Sequence, residues 1–249
     1  MSVIILAKNE QATIVNAVSS ALLISRDVVV VDSGSIDETR DLAEAAGARV
    51  LQINWPGFGQ ARNTGAAFAL HDAVFCLDAD EVVTPELARA VNECSLQPGL
   101  VYGFRRRNFL GNKEIRFGEW GHDHVYRMYN KTRASWNHDL VHENIVITNG
   151  QRKKIAGSLL HYTTAGLKEY GIKLDRYARL SAEKYYRSGK KTSFFKLIFS
   201  PAFNFVRNYL FRLGFLDGKP GLDIALLHAG YTRKKYAYLR KLREDLPAS

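Results

Sequence analysis

The chain has 249 residues, of which 46% are hydrophobic and 24% charged, an ordinary balance for a folded protein with room for one large domain or a domain and a tail. Two cysteines, Cys76 and Cys94, are too few for a disulfide framework, and no apolar run is long enough to span a bilayer. The net charge of +10 is uneven: residues 1–150 carry 14 Lys and Arg against 18 Asp and Glu, while residues 151–249 carry 21 against 7, so the basic surplus of the C-terminal part calls for an acidic partner, whether lipid, nucleic acid or an anionic substrate.

In chain order, residues 3–6 read as a short apolar strand, and Ile14, Ala17, Val18, Ala21 and Leu22 as one face of a helix. Four consecutive valines, 28–31, fit a strand buried on both faces. Ser35-Ile36-Asp37-Glu38 fits a capping box opening a helix that Gly47 stops. Residues 50–53 give another strand, 62–70 a helix and 73–77 a strand. Thr84-Pro85 then reads as an N-cap followed by proline at the first helical position. This alternation predicts an α/β class, a mostly parallel sheet flanked by helices. Ligands of such sheets bind beyond the carboxyl ends of the strands, where Lys8-Asn9-Glu10, Asp32-Ser33-Gly34-Ser35 and Asp78-Ala79-Asp80 all fall. From 100 to 162 the strands are shorter and more polar, over 101–107, 125–129, 144–148 and 155–161. After 166 the segments are helical, with a break at Gly218 to Gly221.

Asp78 and Asp80 are the most informative pair. In an extended chain they point to one side, and two carboxylates that close need a cation or another partner. Oxygen ligands of this type suit Mg²⁺ or Mn²⁺, which commonly bring phosphates with them. The plainer alternative is a surface turn leading into the next helix.

Five stretches, in order, carry a resemblance: Ala7-Lys8-Asn9-Glu10, Val31-Asp32-Ser33-Gly34-Ser35-Ile36-Asp37, Gly59-Gln60-Ala61-Arg62-Asn63, Leu77-Asp78-Ala79-Asp80-Glu81 and Val141-His142-Glu143. Together they resemble glycosyltransferase family 2, inverting nucleotide-sugar enzymes of the Rossmann-like GT-A fold. The tail, with Arg207-Asn208-Tyr209, Gly214-Phe215-Leu216-Asp217-Gly218 and Gly221-Leu222, is similar to the family's bacterial lipopolysaccharide core β-glucosyltransferases. One departure is Gln60-Ala61-Arg62, where the family carries Gln directly before the basic residue.

The resemblance implies a GT-A catalytic domain over 1–162 and a basic helical tail over 163–249. It implies a UDP-sugar donor, first of all UDP-glucose, with a Mg²⁺ or Mn²⁺ cofactor held by Asp80 and His161. On the donor side it implies Ala7, Asn9, Glu10, Asp32 (accepting from uracil), Arg62, Asp78 (on the ribose or a metal-bound water) and Arg127. Glu143 matches the base that takes the acceptor hydroxyl's proton, and Trp120, Asp123 and His142 fall on the acceptor side, with Trp120 available to stack on a sugar. Each has a plainer alternative. Asp37 also fits a first-turn acid, Arg62 a solvated helix residue, Glu143 an ion pair with local arginines, and His161 a hydrogen-bonded strand end. His122, Asp123 and His124 have the spacing of a metal cluster, though a loop at the acceptor mouth is the preferred reading.

In the tail, phenylalanines from 194 to 205 lie among Lys190, Lys191, Lys196, Arg207 and Arg212, a composition that suits the headgroup region of an anionic leaflet. Packing of that face on the catalytic domain is the alternative. With no signal sequence ahead of the first strand, the expectation is a cytoplasmic enzyme, peripheral on the inner face of the membrane, acting on a lipid-linked saccharide such as lipopolysaccharide core. No nucleic-acid partner is expected, since the basic tail forms no recognised binding motif. A nucleotidyltransferase of the same fold class is the other alternative, but Ala7-Lys8-Asn9-Glu10 is not the glycine-rich loop such enzymes carry.

Overall fold

A computed structural model describes residues 1–137, 143–147, 150–164 and 166–245. The alternating part holds β1 (Ser2–Ala7), α1 (Ile14–Ala21), β2 (Asp27–Asp32), α2 (Thr39–Ala45), β3 (Arg49–Gln52), α3 (Phe58–Phe68), β4 (Ala73–Asp78), β5 (Glu81–Val83) and α4 (Pro85–Asn92). Strands then dominate: β6 (Leu100–Leu110), β7 (Lys113–Ile115), β8 (His124–Asn130), β9 (Ala134–Trp136), β10 (Ile145–Ile147) and β11 (Gln151–Thr164). Three helices follow, α5 (Leu167–Arg187), α6 (Phe194–Val206) and α7 (Lys219–Asp245). The chain divides into two compact units, the first made of Met1–Arg106 and His124–His161, the second of Arg107–Asp123 and the chain from Tyr162 onward.

The core of the first unit is a sheet in the order β3-β2-β1-β4-β8-β6-β11-β5. β1 runs parallel to β2 on one side and β4 on the other, with Ala7 opposite Asp32 and Leu6 opposite Asp78. Three strand ends are therefore level at one edge, the place the α/β reading assigned to a ligand. The valines of β2 separate by parity. Val28 and Val30 join Val3 and Ile5 in one cluster with α1 and α4; Val29 and Val31 join Ile4 and Leu6 in another with α3 and β9. Both faces of the sheet are covered, as the unbroken apolar runs require. α3 lies very close to the sheet: a Cβ on Gly65 would stand 2.5 Å from Ile4 Cγ2 and 2.6 Å from Val31 Cγ2.

Three local expectations need adjustment. Ser35 does not cap α2; its hydroxyl accepts from the backbone N–H of Asn9, and the helix starts only at Thr39. α3 begins at Phe58, ahead of the expected 62, because Gly57, at φ +106, turns the chain into it. β5, β7 and β9 are three-residue strands with too little periodicity to read. Thr84 caps α4 as expected, its hydroxyl oxygen accepting from Leu87 N–H at 3.3 Å.

In the second unit, β7 pairs with the end of β6, and Ile115 and Trp120 pack with Tyr170 of α5 and Ile224 of α7. The carboxylate of Asp217 accepts from the backbone N–H groups of Arg116 and Phe117 at 3.1 and 2.9 Å. These contacts draw residues 107–123 into the unit of the tail, although the expected boundary fell at 162. No helix among the described residues is long and apolar enough to cross a membrane.

At the edge opposite the strand ends, Asp27 accepts from Ser2 Oγ, Leu70 N–H and Arg49. Burial opposes its ionisation, but these bonds outweigh burial and lower its pKa. A lowered folded-state pKa stabilises fully above the ordinary carboxylate range and loses that stabilisation as pH falls through it. Asp27→Asn is accordingly expected to cost about 1–3 kcal/mol at neutral pH. In thermal unfolding across pH, the gap from the wild type should close below about pH 4.

Candidate functional site

All the residues below belong to the first unit unless stated otherwise. Two loops are stitched together at the ends of β1 and β2. Asn9 takes the left-handed conformation, φ +55, which short polar side chains tolerate. From there its Oδ1 accepts from Ile36 N–H at 2.9 Å. Glu10 N–H donates to Thr39 Oγ1 at 2.7 Å, and Gln11 N–H to Asp37 Oδ2 at 3.3 Å. Asp37 also accepts from Thr39 N–H, so it is a loop brace as much as a helix-start acid. The buried Asp32 accepts from Gly34 and Ser35 N–H at 3.0 Å through Oδ1; Oδ2 has only a 3.3 Å contact from Ser35 N–H. The Ala7 carbonyl is taken by the N–H and hydroxyl of Ser33.

At the end of β4 the charges are matched in pairs. Asp78 accepts from Arg62 through Oδ1 and from Arg127 through Oδ2, both at 2.8 Å. Burial opposes its charge, yet Arg127 and Arg62 hold its carboxyl well below the usual carboxylate range. Arg62, only 2% exposed, carries its other terminal nitrogen to Glu143 Oε1 at 2.5 Å. Glu81 is fully buried: it accepts from Asp78 N–H at 2.9 Å, from Arg106 at 3.1 Å and from Arg127 at 3.4 Å. Three guanidinium groups are thereby set against three carboxylates.

Secondary structure explains each position. β8 runs antiparallel to β4, with Phe75 opposite Met128, which brings Arg127 to the end of β4. α3 supplies Arg62, and the next residue, Asn63, grips Trp136 by donating to its carbonyl and accepting from its N–H, each at 2.9 Å. The guanidinium of Arg62 lies 4.5 Å over the Trp136 ring, a cation–π contact. β9 pairs with β10, Trp136 opposite Ile145, and so carries Glu143 on the incoming segment. A Cβ on Gly59 would meet the carbonyl oxygen of Asn137 at 2.1 Å, so α3 approaches this hairpin only with glycine there.

Asp80 stands outside the arginine pairing. Its Oδ2 lies 3.3 Å from His161 Nε2. The antiparallel pairing of β5 with β11, His161 opposite Glu81, makes that approach possible. No three His, Cys, Asp or Glu side chains among the described residues gather as a metal cluster, the His122, Asp123 and His124 spacing included. The pair of Asp80 and His161 offers one oxygen and one nitrogen donor. A carboxylate and an imidazole are donor types that a divalent ion accepts.

The structure thus brings Asp78, Asp80, Arg62, Arg127, Glu143 and His161 together, with the Asn9–Glu10 loop and Asp32 at the adjoining strand ends. Arg62 and Arg127 are engaged by carboxylates, where the sequence suggested phosphate. Trp120, in the second unit, is a correction. It is 7% exposed, packs edge-to-face on Tyr170 and donates from Nε1 to the Tyr170 hydroxyl at 3.2 Å, so its ring is core and has no face for a sugar. Asp123 accepts from Asn108 Nδ2 in the same unit. His142 lies outside the described residues. The sequence alone assigns no role to Glu81, although it ends the Leu77–Glu81 stretch, nor to Arg106. The one signal for Glu81 was a carboxylate directly before Val82 and Val83, where strand alternation points it inward.

Residues 2–160 match the family model of Glycosyl transferase family 2. The lipopolysaccharide core biosynthesis glycosyltransferase LpsC of Rhizobium meliloti is 29% identical, the match covering 95% of this chain and 93% of that protein. An uncharacterised glycosyltransferase of Rickettsia typhi is 26% identical over 98% of this chain and 87% of its own. Among solved structures, glucosyl-3-phosphoglycerate synthase from Mycobacterium tuberculosis, in complex with phosphoglyceric acid, aligns with a TM-score of 0.47 at 20% identity, covering 77% of this chain and 81% of that one.

The charge pairing separates the two aspartates experimentally. Asp78→Ala leaves two buried guanidinium groups short of a carboxylate and should cost about 3–5 kcal/mol. Asp80→Ala removes no guanidinium partner and should leave the metal-free melting temperature near that of the wild type. Thermal unfolding of the two variants side by side measures the contrast.

Proposed function

This chain belongs to glycosyl transferase family 2 and is a glycosyltransferase of the GT-A fold, and we propose that it transfers a sugar, first of all glucose, from a UDP-sugar to a lipid-linked saccharide with inversion at the anomeric carbon. The observation that carries the reading is the pairing at the end of β4. Among the described residues, arginines meet Asp78, Glu81 and Glu143, while Asp80 faces His161. A carboxylate and an imidazole set beside a matched cluster suit a divalent ion carried with a diphosphate.

In this reading Asp80 and His161 hold Mg²⁺ or Mn²⁺. An ion held by these two side chains would supply Lewis-acid stabilisation of charge on a leaving diphosphate. The Asn9–Glu10 loop and Ala7 shape the wall of the nucleotide pocket. Asp32 offers Oδ2 to a nucleobase N–H, because Oδ1 is committed to its own turn. Asp78 holds Arg62 and Arg127 in place beside the diphosphate and gives the ribose a fixed edge.

Glu143 is the base. Arg62 engages Oε1, and Oε2 has no partner among the described residues. That oxygen takes the proton of the acceptor hydroxyl as the hydroxyl attacks opposite the leaving group. His142, its chain neighbour, is assigned to the acceptor. The match to LpsC over nearly the whole of both chains supports lipopolysaccharide core as the acceptor class. An acceptor of that class puts the enzyme on the inner face of the cytoplasmic membrane.

Two measurements test the assignment. Glu143→Gln should keep UDP affinity while transfer falls about 10²–10⁴-fold; transfer at the wild-type rate removes Glu143 from the base role. Calorimetry of UDP binding with Mn²⁺, with Mg²⁺ and with a chelator should show metal-dependent affinity, lost in Asp80→Ala and His161→Ala. Binding indifferent to metal in the wild type would overturn the ligand assignment.

A further inference from the structure

Helix α6 has its polarity reversed for a surface helix. Phe195, Ile198, Phe199, Ala202 and Phe203 are exposed, and at 3.6 residues per turn they fall within an arc of roughly 140°. The exposures of the three phenylalanines are 69%, 61% and 64%. The uncharged polar residues turn the other way. Ser200 and Asn204 are half-buried, and Asn204 Oδ1 accepts from the buried Asn208 at 3.1 Å. No residue of the described face of α6 is fully buried, so these phenylalanines are not core residues.

The apolar surface continues past the helix. A π-helical turn over Arg207–Phe211 exposes Leu210 and Phe211, the latter at 77%. A 3-10 turn over Gly214–Asp217 exposes Phe215 and Leu216. Between them Leu213 adopts φ +58 with its side chain exposed. A branched residue is disfavoured in this left-handed conformation, where glycine is at ease. An apolar side chain is thus displayed at some cost to the backbone, an outlier of the kind that points to a surface with a use.

Charge names the occupant. From 187 to 219 the basic residues are Arg187, Lys190, Lys191, Lys196, Arg207, Arg212 and Lys219, against the single acid Asp217. Asp217 is buried with both oxygens on backbone N–H groups, so the acid of the segment contributes little to its surface. A second copy of the chain would bring the same positive surplus to the contact and be repelled. A broad apolar face with cationic borders and no directional polar groups on it matches an anionic bilayer.

We infer that α6, with the two turns that follow it, lies in the plane of an anionic lipid leaflet, sinking Phe195, Phe199, Phe203 and Phe211 below the headgroups while the lysines at 190, 191 and 196 meet lipid phosphates. The inference deepens the proposed membrane-facing function and rests on that reading only for its biological purpose; the physical surface stands without it.

Flotation of the full chain with phosphatidylcholine vesicles, with and without phosphatidylglycerol, tests it. The wild type should float with the anionic vesicles only, less so at high salt. The triple variant F195S/F199S/F203S should bind at least about tenfold more weakly, and K190Q/K191Q should bind more weakly with a shallower salt dependence. L213G suits the backbone better, so it should hold or raise the melting temperature and still lower vesicle binding, which separates display from folding. Absence of wild-type binding to either vesicle overturns the inference, as does equal binding by the triple variant. A wild-type dimer that the triple variant abolishes overturns it too, by making the face a contact between copies. Metal-dependent UDP binding, measured on the same samples, reports separately on the enzyme reading: its loss with flotation intact sinks the enzyme reading alone, and its persistence without flotation sinks the anchor alone.

Discussion

A buried guanidinium cannot lose its proton at any accessible pH, so it must be met by carboxylate at hydrogen-bond distance or the fold bears an uncompensated charge. Arg62 and Arg127 impose that condition on the end of β4. Their demand fixes Asp78 between them, draws Glu81 fully inside and tethers Glu143 to Arg62. Elements distant in sequence meet here because each brings one member of a charge pair. The cluster also decides by subtraction. Once Asp78, Glu81 and Glu143 are assigned to arginines, Asp80 is the acid whose companion is an imidazole.

The parallel half of the fold was legible because its signals are local. Four valines in a row, the glycine after the second helix and the Thr84-Pro85 start each carry their own physical meaning. The level ends of β1, β2 and β4 follow from those, and with them the place of Asn9, Asp32 and Asp78. What failed were choices between local and distant partners. Ser35 had the spacing of a cap, yet its hydroxyl met the N–H of Asn9 from another loop. Trp120 had the look of an exposed aromatic in a polar loop, yet Tyr170, fifty residues on, took both its ring edge and its N–H. Glu81 and Arg106 belong to the same class: their meeting depends on strand order, which no short window of sequence contains.

The two units use charge in opposite ways. In the first, positive and negative groups are paired off inside until little net charge is left at the cluster. In the second, the buried Asp217 accepts from backbone N–H groups, and the exposed Glu119 pairs with His228 at 2.8 Å. Hydrogen bonding to His228 comes first among the causes that lower the pKa of Glu119. The basic surplus seen in the composition falls in the last hundred residues, the same stretch that displays the exposed phenylalanines.

The placement of His161 depends on β11 pairing with β5 in one register, Leu159 opposite Val83 and His161 opposite Glu81. Side chains alternate along a strand, so a shift of one residue turns every group to the other face. β11 reaches this pairing only after a kink at Gly157, φ +91, where a Cβ would stand 2.4 Å from Leu87 Cα. Substitutions along the exposed start of β11 should be absorbed there, since those residues touch water. Losing or gaining a single residue between that start and 161 is a different kind of change: it would spare every named side chain and yet swing the imidazole away from Asp80. For this stretch of chain, length is held more tightly than composition.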